Sequence, residues 1–399
     1  MRIGANGAHL TYCSNIHPAE SWAEVRANIE RYFPAVRSRV APGEPFGVGL
    51  RLSARAAREL GSGGALAEFR GFMARNQLYV FTVNGFPYGT FHGTRVKEEV
   101  YLPDWRDEER LRYTDELADL LVQLLPEGIE GSISTVPGAF KPAMRAAADV
   151  DQIADNLLRH VAKLVGIKAR TGRHIALAIE PEPHCFLETI DESVRFFKER
   201  LFGAPAQRRL GELTGLDPEA ASVALRSHIG LCLDLCHAAV EFEDAAGCVR
   251  ALQEAGIRVT KLQISAGLRL AQLTAHAVSA LEQFDDPVYL HQVVEAGPGG
   301  IKRYADLPEA LATARKGKPD GREWRVHCHV PIFMDNLGAF SSTRSFIAEV
   351  LDIHKRHPIS AHLEVETYTW SVLPEHLRAG GMEQAIAREL NWVKQMLAA

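Results

Sequence analysis

Short runs of β-branched and other apolar residues alternate along the chain with segments in which apolar residues return every three or four positions. The runs predict strands at LTYCSN from Leu10, FGVGLRL from Phe46, LYVFTVN from Leu78, GSISTVP from Gly131, HIALAIE ending at Glu180 and HIGLCLD ending at Asp234. VTKLQIS from Val259, WRVHCHV from Trp324 and AHLEVE from Ala361 complete the set, one more than an eight-stranded barrel takes. Between them, Ser21 and Glu24 form a capping box ahead of Trp22, Val25 and Ile29 at helical spacing. Thr114 to Leu125 and Asp191 to Phe202 are further amphipathic runs, closed by Pro126 and Gly203, and Met382 to Leu397 predicts a final helix.

Strand–helix alternation suits a (β/α)₈ barrel or a doubly wound sheet, and the parity of polar positions separates the two. Ile175, Leu177 and Ile179 share one face of their strand, with Ala176, Ala178 and Glu180 on the other. The next strands repeat the division: Leu231, Leu233 and Leu235 oppose Cys232, Asp234 and Cys236, while Leu262 and Ile264 oppose Lys261, Gln263 and Ser265. Val326, Cys328 and Val330 oppose Arg325, His327 and His329, and Leu363 and Val365 oppose His362, Glu364 and Glu366. A doubly wound sheet would press these charges against helices, whereas a barrel turns them into a lumen whose C-terminal end is wet. The pattern predicts an α/β fold, a single (β/α)₈ TIM barrel over residues 1–399. The stretch 266–323 is too long for an ordinary connection and contains the strand-like HQVVEAG, so it is expected to be an insertion between the seventh and eighth strands, near the C-terminal mouth.

Composition narrows the function classes. The 399 residues are 46% apolar and 24% charged, with a formal net charge of −5 and no dense Lys/Arg stripe, which argues against a nucleic-acid partner and for a small-molecule metabolite. The N-terminus lacks the features of a signal peptide, no run approaches a membrane span, and six cysteines without paired short spacings read as reduced thiols, so a cytoplasmic location is expected. Assembly as a homodimer is expected on general grounds.

Glu180, Asp234 and Glu364 each end an apolar strand, and a barrel gathers such ends around one axis. Converging carboxylates, supplemented by the amide of Gln263 or an imidazole of His327 or His329, suit a hard to borderline divalent ion; Cys232 and Cys236 flanking Asp234 leave a softer metal open. Bland readings stand beside these. Glu180 and Glu364 also fit acids paired with Arg51 or Arg325, and Asp234 with His237 fits an oriented histidine; Glu182 and Glu366 fit solvated loop acids.

The strand endings EPEPH at Glu180, DLCH at Asp234 to His237 and EVE at Glu364 resemble those of xylose isomerase-like barrels, which include sugar isomerases, ketose 3-epimerases and endonuclease IV-type enzymes. The resemblance implies Glu180, Asp234 and Glu364 as metal ligands, with Gln263 at the seventh-strand position where the family has histidine, and His327 or His329 as a substitute. Nearly end to end, through GANGAHLTYCSNIHP, LHQVVEAG, WRVHCHVPIF and HLEVETYTWSVLP, the chain is similar to EboE-type metabolite traffic proteins. The resemblance implies a divalent metal (Mn, Mg, Zn or Co), with Glu180 and Glu364 as opposed acid and base in isomerisation or epimerisation of a sugar, polyol or related hydroxycarbonyl. Glu182, Glu188, His237 and His327, with Asn84, His92 and Trp370 on neighbouring loops, are the candidate substrate contacts. The competing readings are a metabolite carrier without turnover and a metal-dependent phosphoesterase of the endonuclease IV type.

Overall fold

The computed structural model describes residues 1–4, 7–86, 97–285, 290–316, 321–368 and 381–398. Its main sheet is an α/β barrel of eight parallel strands: Ala8–Tyr12, Phe46–Arg51, Leu78–Asn84, Gly131–Thr135, Ile175–Ile179, Ile229–Asp234, Val259–Ile264 and His362–Val365, taken below as the first to eighth. Hydrogen-bonded neighbours run from the first strand to the eighth, seventh and so on down to the second, with the short antiparallel strand Arg2–Ile3 outside the first.

The remaining seam, between first and second strands, is closed by a single bridge from Cys13 to Gly49 and by Thr11, whose hydroxyl donates to Gly47 O at 2.7 Å and accepts from Gly49 N at 3.2 Å. Glycine is required here for space. A Cβ on Gly49 would lie 1.9 Å from Glu364 Oε1 and 2.5 Å from Tyr12 O.

The outward faces behave as the parity argument predicts. Ile175, Leu177, Leu231, Leu233, Leu262 and Leu363 are buried in the main apolar core beneath the surrounding helices, each contributing roughly 1.5–3 kcal/mol of burial free energy. The first helix, Trp22–Val40, starts on the Ser21–Glu24 capping box, with Ser21 accepting from Glu24 N. The second amphipathic run begins earlier than its pattern suggested, at Glu108, and ends at Leu124. The third is helical over Ile190–Phe196 and then widens into a π-turn over Phe197–Leu201.

Between the seventh and eighth barrel strands the chain builds a second, antiparallel sheet of five strands, ordered Gly300–Tyr304, Val293–Gly297, Glu323–Val330, Ala266–Leu270 and Ser341–Ser342. WRVHCHV therefore corrects the sequence-based set: it is the centre of this sheet and not a barrel strand, which removes the surplus candidate. Its alternation arises because Trp324, Val326, Cys328 and Val330 pack into the main apolar core on one face of the second sheet, while Arg325 and His327 turn toward the short helix Leu235–Val240 that follows Asp234. Arg325 fastens the contact by donating to Ala239 O at 2.6 Å. The second sheet thereby roofs the C-terminal mouth.

Candidate metal centre at the barrel mouth

Side chains two residues apart on a strand point the same way, so the eighth strand sends His362, Glu364 and then Glu366, just beyond its end, into the lumen at three heights. The lowest level is aromatic: His362 bonds Ser132 Oγ at 2.8 Å, and its ring meets Phe81 and His9. At the middle level Glu364 forms an ion pair with Lys261, both side chains fully sealed from solvent, and the lysine ammonium also donates to Ser134 Oγ at 3.2 Å. Burial works against the Lys261 charge, but Glu364, together with Cys232, Cys13 and Glu180, pushes its pKa up.

At the top level Glu180, Asp234 and Glu366 come together, with one carboxylate oxygen of each within 4.8 Å of the others. Local structure aims them. Asp234 caps the helix Leu235–Val240, its Oδ1 accepting from His237 N at 2.9 Å and from Ser265 Oγ at 2.7 Å, which leaves Oδ2 facing the mouth. Glu366 Oε1 accepts from Asn15 Nδ2 at 2.6 Å and lies 3.4 Å from Asn84 Nδ2. Glu180 Oε2 and Asp234 Oδ2 are buried without a hydrogen-bond partner among the described residues. Burial, reinforced by the charges of Glu366 and Asp234, pushes Glu180 well above the usual carboxylate range, and burial with the Asp234 charge raises Glu366 to about 7. Buried acids that repel one another and expose free oxygens fit a divalent cation, which neutralises the charge and fills the lone pairs.

The roof adds imidazoles. His329 Nδ1 lies 4.0 Å from Glu366 Oε2, and His329 belongs with Asp234 and His237 to a second group of converging donor atoms. A third group is Glu182, His237 and His327, and a fourth Cys236, His327 and His329. Burial would discharge His237, yet Asp234, Glu182 and Glu180 around it raise its pKa to about 9. His327 and His329 are held down instead, His329 to about 4, chiefly by burial. Glu182 is raised by burial and accepts a 2.5 Å hydrogen bond from the Tyr101 hydroxyl.

Asn15, Arg51, Asn84, Glu180, Glu182 and His237 face a cavity of about 70 Å³, counted as space open to the centre of a water-sized sphere. At roughly 10–15 Å³ per water this admits several waters or a small polar metabolite. Phe86, Val100, Leu290 and Tyr368 give it an apolar side.

The expected site residues thus divide. Glu180, Asp234, His237, His327, Glu182 and Asn84 lie at the mouth, and His329 lies against its acids. Glu364 departs from its expected place as a mouth ligand: it sits one level deeper, held by Lys261, and the eighth-strand acid in the cluster is Glu366. Gln263 is fully buried, with Cys232 Sγ 4.0 Å from its Oε1 and its side chain against Glu366, while Cys232 belongs to no converging group of His, Cys, Asp and Glu donors among the described residues. Glu188 departs as well: it accepts from His184 N at 2.7 Å and pairs with Lys141 at 2.6 Å and Arg303 at 3.5 Å, pinning the loop that carries Glu182 rather than facing the cavity. Arg51, which lines the cavity, pairs with Glu20, and Arg325 pairs with Glu323. His92 and Trp370 lie outside the described residues. All six cysteines are buried and none is in a disulfide, and no helix among the described residues is long and apolar enough to cross a membrane.

Tyr101 carried no periodic signal in the sequence, since it sits outside the strands that the pattern marks, whereas Asn15 and Gln292 lie within LTYCSN and HQVVEAG as polar positions that the pattern does not single out. Glu366 did carry one, because it shares the parity of Glu364.

No protein-family model matches the chain, and no curated protein matches it. Among solved structures, the probable 3-DHS dehydratase AsbF of petrobactin synthesis from Bacillus anthracis is similar at 12% identity and a TM-score of 0.48, over 96% of this chain and 97% of that one. A xylose isomerase-like TIM barrel protein from Mycobacterium smegmatis in complex with magnesium is similar at 12% identity and a TM-score of 0.48, over 99% of this chain and 93% of the other. D-psicose 3-epimerase with D-tagatose from Clostridium cellulolyticum H10 gives 12% identity and a TM-score of 0.48, over 98% of each chain. At these values the functional reading of the mouth rests on its own residues.

Proposed function

We propose that this chain is a divalent-metal-dependent isomerase or epimerase of a small sugar, polyol or related hydroxycarbonyl metabolite, working at the barrel mouth. The observation that carries the reading is the convergence of Glu180, Asp234 and Glu366 with two buried carboxylate oxygens left without partners. Glu180, Asp234, Glu366 and the His329 imidazole would hold the ion, an oxygen-rich set suited to Mn²⁺, Mg²⁺, Co²⁺ or Zn²⁺. When bound, the ion supplies Lewis-acid polarisation of a carbonyl and the hydroxyl beside it.

The side chains then divide the work. Glu180 and Glu366 approach the mouth from the fifth and eighth strands, which suits them to take a proton from the carbon next to the carbonyl and return one at the neighbouring position. Asn15 and Asn84 fix the Glu366 carboxylate through its Oε1. Asn84, Arg51, Glu182 and His237 along the cavity supply donors and acceptors for substrate hydroxyls. The second sheet above the mouth shields the reacting atoms from bulk water. The resemblance of the sequence to EboE-type proteins supports a role for this chemistry in metabolite traffic, and a cytoplasmic homodimer is the accompanying proposal.

The test combines metal analysis with isotope exchange. The metal-loaded protein is expected to wash deuterium from solvent into the carbon position next to the carbonyl of at least one member of a ketose and polyol-derived panel. Glu366→Gln should abolish the exchange while the protein stays folded. An Asp234→Asn variant with the metal content of the parent would defeat the reading, as would exchange unaffected by chelation.

A further inference from the structure

The edge strand of the second sheet, Gly300–Tyr304, sends the Arg303 side chain onto two segments of the barrel at once. Arg303 Nε and Nη2 reach Glu241 Oε2 at 2.8 and 2.6 Å, and Nε also lies 3.5 Å from Glu188 Oε1. Glu241 directly follows the short helix Leu235–Val240, which starts on Asp234 and carries His237. Glu188 closes the loop after the fifth barrel strand, and Glu182 stands near the head of that loop. Both carboxylates are buried, and the guanidinium is partly exposed.

The loop that Glu188 closes is strained. His184 has a φ of +63°, in the left-handed region that side chains other than glycine avoid, and such a conformation persists only where its surroundings impose it. Here the imposing contacts lead back to the edge strand. The His184 amide donates at 2.7 Å to Glu188 Oε1, the oxygen that faces Arg303, and the His184 imidazole faces the backbone of Tyr304, the residue after Arg303. Lys141 Nζ holds the other Glu188 oxygen at 2.6 Å.

The strained loop aims a side chain into the cavity. Glu182 lines it, with Oε1 accepting the Tyr101 hydroxyl at 2.5 Å. The Glu182 amide donates to Leu187 O at 3.1 Å, beside Glu188, so the two ends of the loop move together. A guanidinium suits the link between the two acids, because its donors are set in a fixed fork, whereas an ammonium is a point charge. Lifting the edge strand would strand Glu241 as a buried carboxylate without a counter-charge and release Glu188 on one side.

We propose that Arg303 is a positioning residue for the cavity: by clasping Glu188 and Glu241 together, it makes the aim of Glu182 and the seating of the helix that carries His237 depend on the second sheet lying closed over the mouth. The roof thus assembles one wall of the site as well as covering it, and substrate contact is coupled to closure. The consequence for substrate rests on the isomerase reading; the clasp itself does not.

Burial raises Glu241 to about 7 against the opposing Arg303 charge, so the test uses the full chain at about pH 8, where this acid is ionised. Arg303→Met alone would leave a buried charge unpaired, and the working variant is therefore Arg303→Met with Glu241→Gln, which removes both charges together. In the parent the Tyr101 hydroxyl proton is expected to exchange slowly and to be visible by NMR, assigned by its absence from Tyr101→Phe. The double variant should lose that signal. Its backbone hydrogen exchange over residues 182–188 should quicken by about 10-fold or more, while the helix Ala147–Thr171 keeps the parent rate. Arg303→Lys, which can pair with one acid at a time, should hold the parent urea midpoint and still quicken the same segment. For any panel compound that the parent turns over, KM should rise about 10-fold with kcat little changed, since Glu182 contacts bound substrate and not the proton that moves. A double variant that keeps the Tyr101 signal and the parent exchange rates would overturn the proposal, as would exchange that quickens equally in every segment, the mark of a general loss of stability. The two readouts on the free chain need neither metal nor substrate. They decide the clasp even if the parent turns over no compound, a result that defeats the isomerase reading alone.

Discussion

Lys261 and Glu364 form an ion pair in the middle of the barrel lumen, each side chain fully sealed from solvent, directly beneath the acids of the mouth. Neither partner is tolerable alone. A single Lys261→Met change leaves the Glu364 carboxylate buried without a counter-charge, and the expected loss is about 3–5 kcal/mol of unfolding free energy. The double variant Lys261→Met with Glu364→Gln removes both charges and should recover most of that loss. Urea unfolding of the parent, the single and the double variant measures the coupling; equal losses in single and double variants would show that the pair is not what the lysine serves.

The wall beside this pair has no spare room. Gly49 stands where a Cβ would lie 1.9 Å from Glu364 Oε1 and 2.5 Å from the backbone oxygen of Tyr12. Gly49→Ala must therefore displace the carboxylate or open the seam between the first and second strands. The expected cost is about 1–3 kcal/mol or more, read as a lowered urea midpoint with an unchanged slope. Gly43, where an added Cβ meets nothing within 4 Å, has a φ of +81° and is no control. Gly61, in the right-handed region at a φ of −72° and with its nearest would-be Cβ contact at 3.5 Å, is the suitable control, and Gly61→Ala should be close to neutral.

Metal binding to the folded chain alone should raise its stability by mass action. At free metal 100-fold above the dissociation constant the gain is about 2.7 kcal/mol. Thermal unfolding of the stripped protein should shift upward with added Mn²⁺, and the Asp234→Asn variant should shift less. A variant that shifts as far as the parent would remove Asp234 from the ligand set.

The barrel itself was legible because outward apolar and inward polar positions alternate, and that alternation is the direct imprint of a packed exterior and a polar lumen. The same rule explains the two departures. WRVHCHV alternates as cleanly as a barrel strand because it too has one face on the apolar core, through Trp324, Val326, Cys328 and Val330. Parity reports a buried face without naming the sheet. Glu364 and Glu366 share parity, so alternation put both in the lumen, and only the height of the strand end distinguishes the ion-paired acid from the mouth acid. Tyr101 reaches the site from outside the marked strands, and Gln292, although within the strand-like HQVVEAG, is brought there by pairing in the second sheet, which local pattern does not specify.

Glu389 offers a pH-dependent test away from the mouth. On the C-terminal helix Met382–Ala398 it is buried, accepting from the Thr367 hydroxyl at 2.7 Å and from Ile332 N at 3.2 Å. Burial raises its pKa to about 7, against a partial lowering by those two hydrogen bonds. The folded state therefore holds this proton more tightly than the unfolded chain, whose glutamate titrates near 4.5. The associated stability is fully present below the unfolded value and is lost as pH rises through the folded one, a change of about 3 kcal/mol between pH 4.5 and 7. Glu389→Gln keeps an acceptor oxygen for both donors and has no charge to bury. Above pH 7.5 the variant is expected to be more stable than the parent by about the same amount, with the difference shrinking steadily toward acid. Urea unfolding of both proteins at half-unit steps across this window checks it, and parallel curves for parent and variant would show that Glu389 does not titrate as its burial requires.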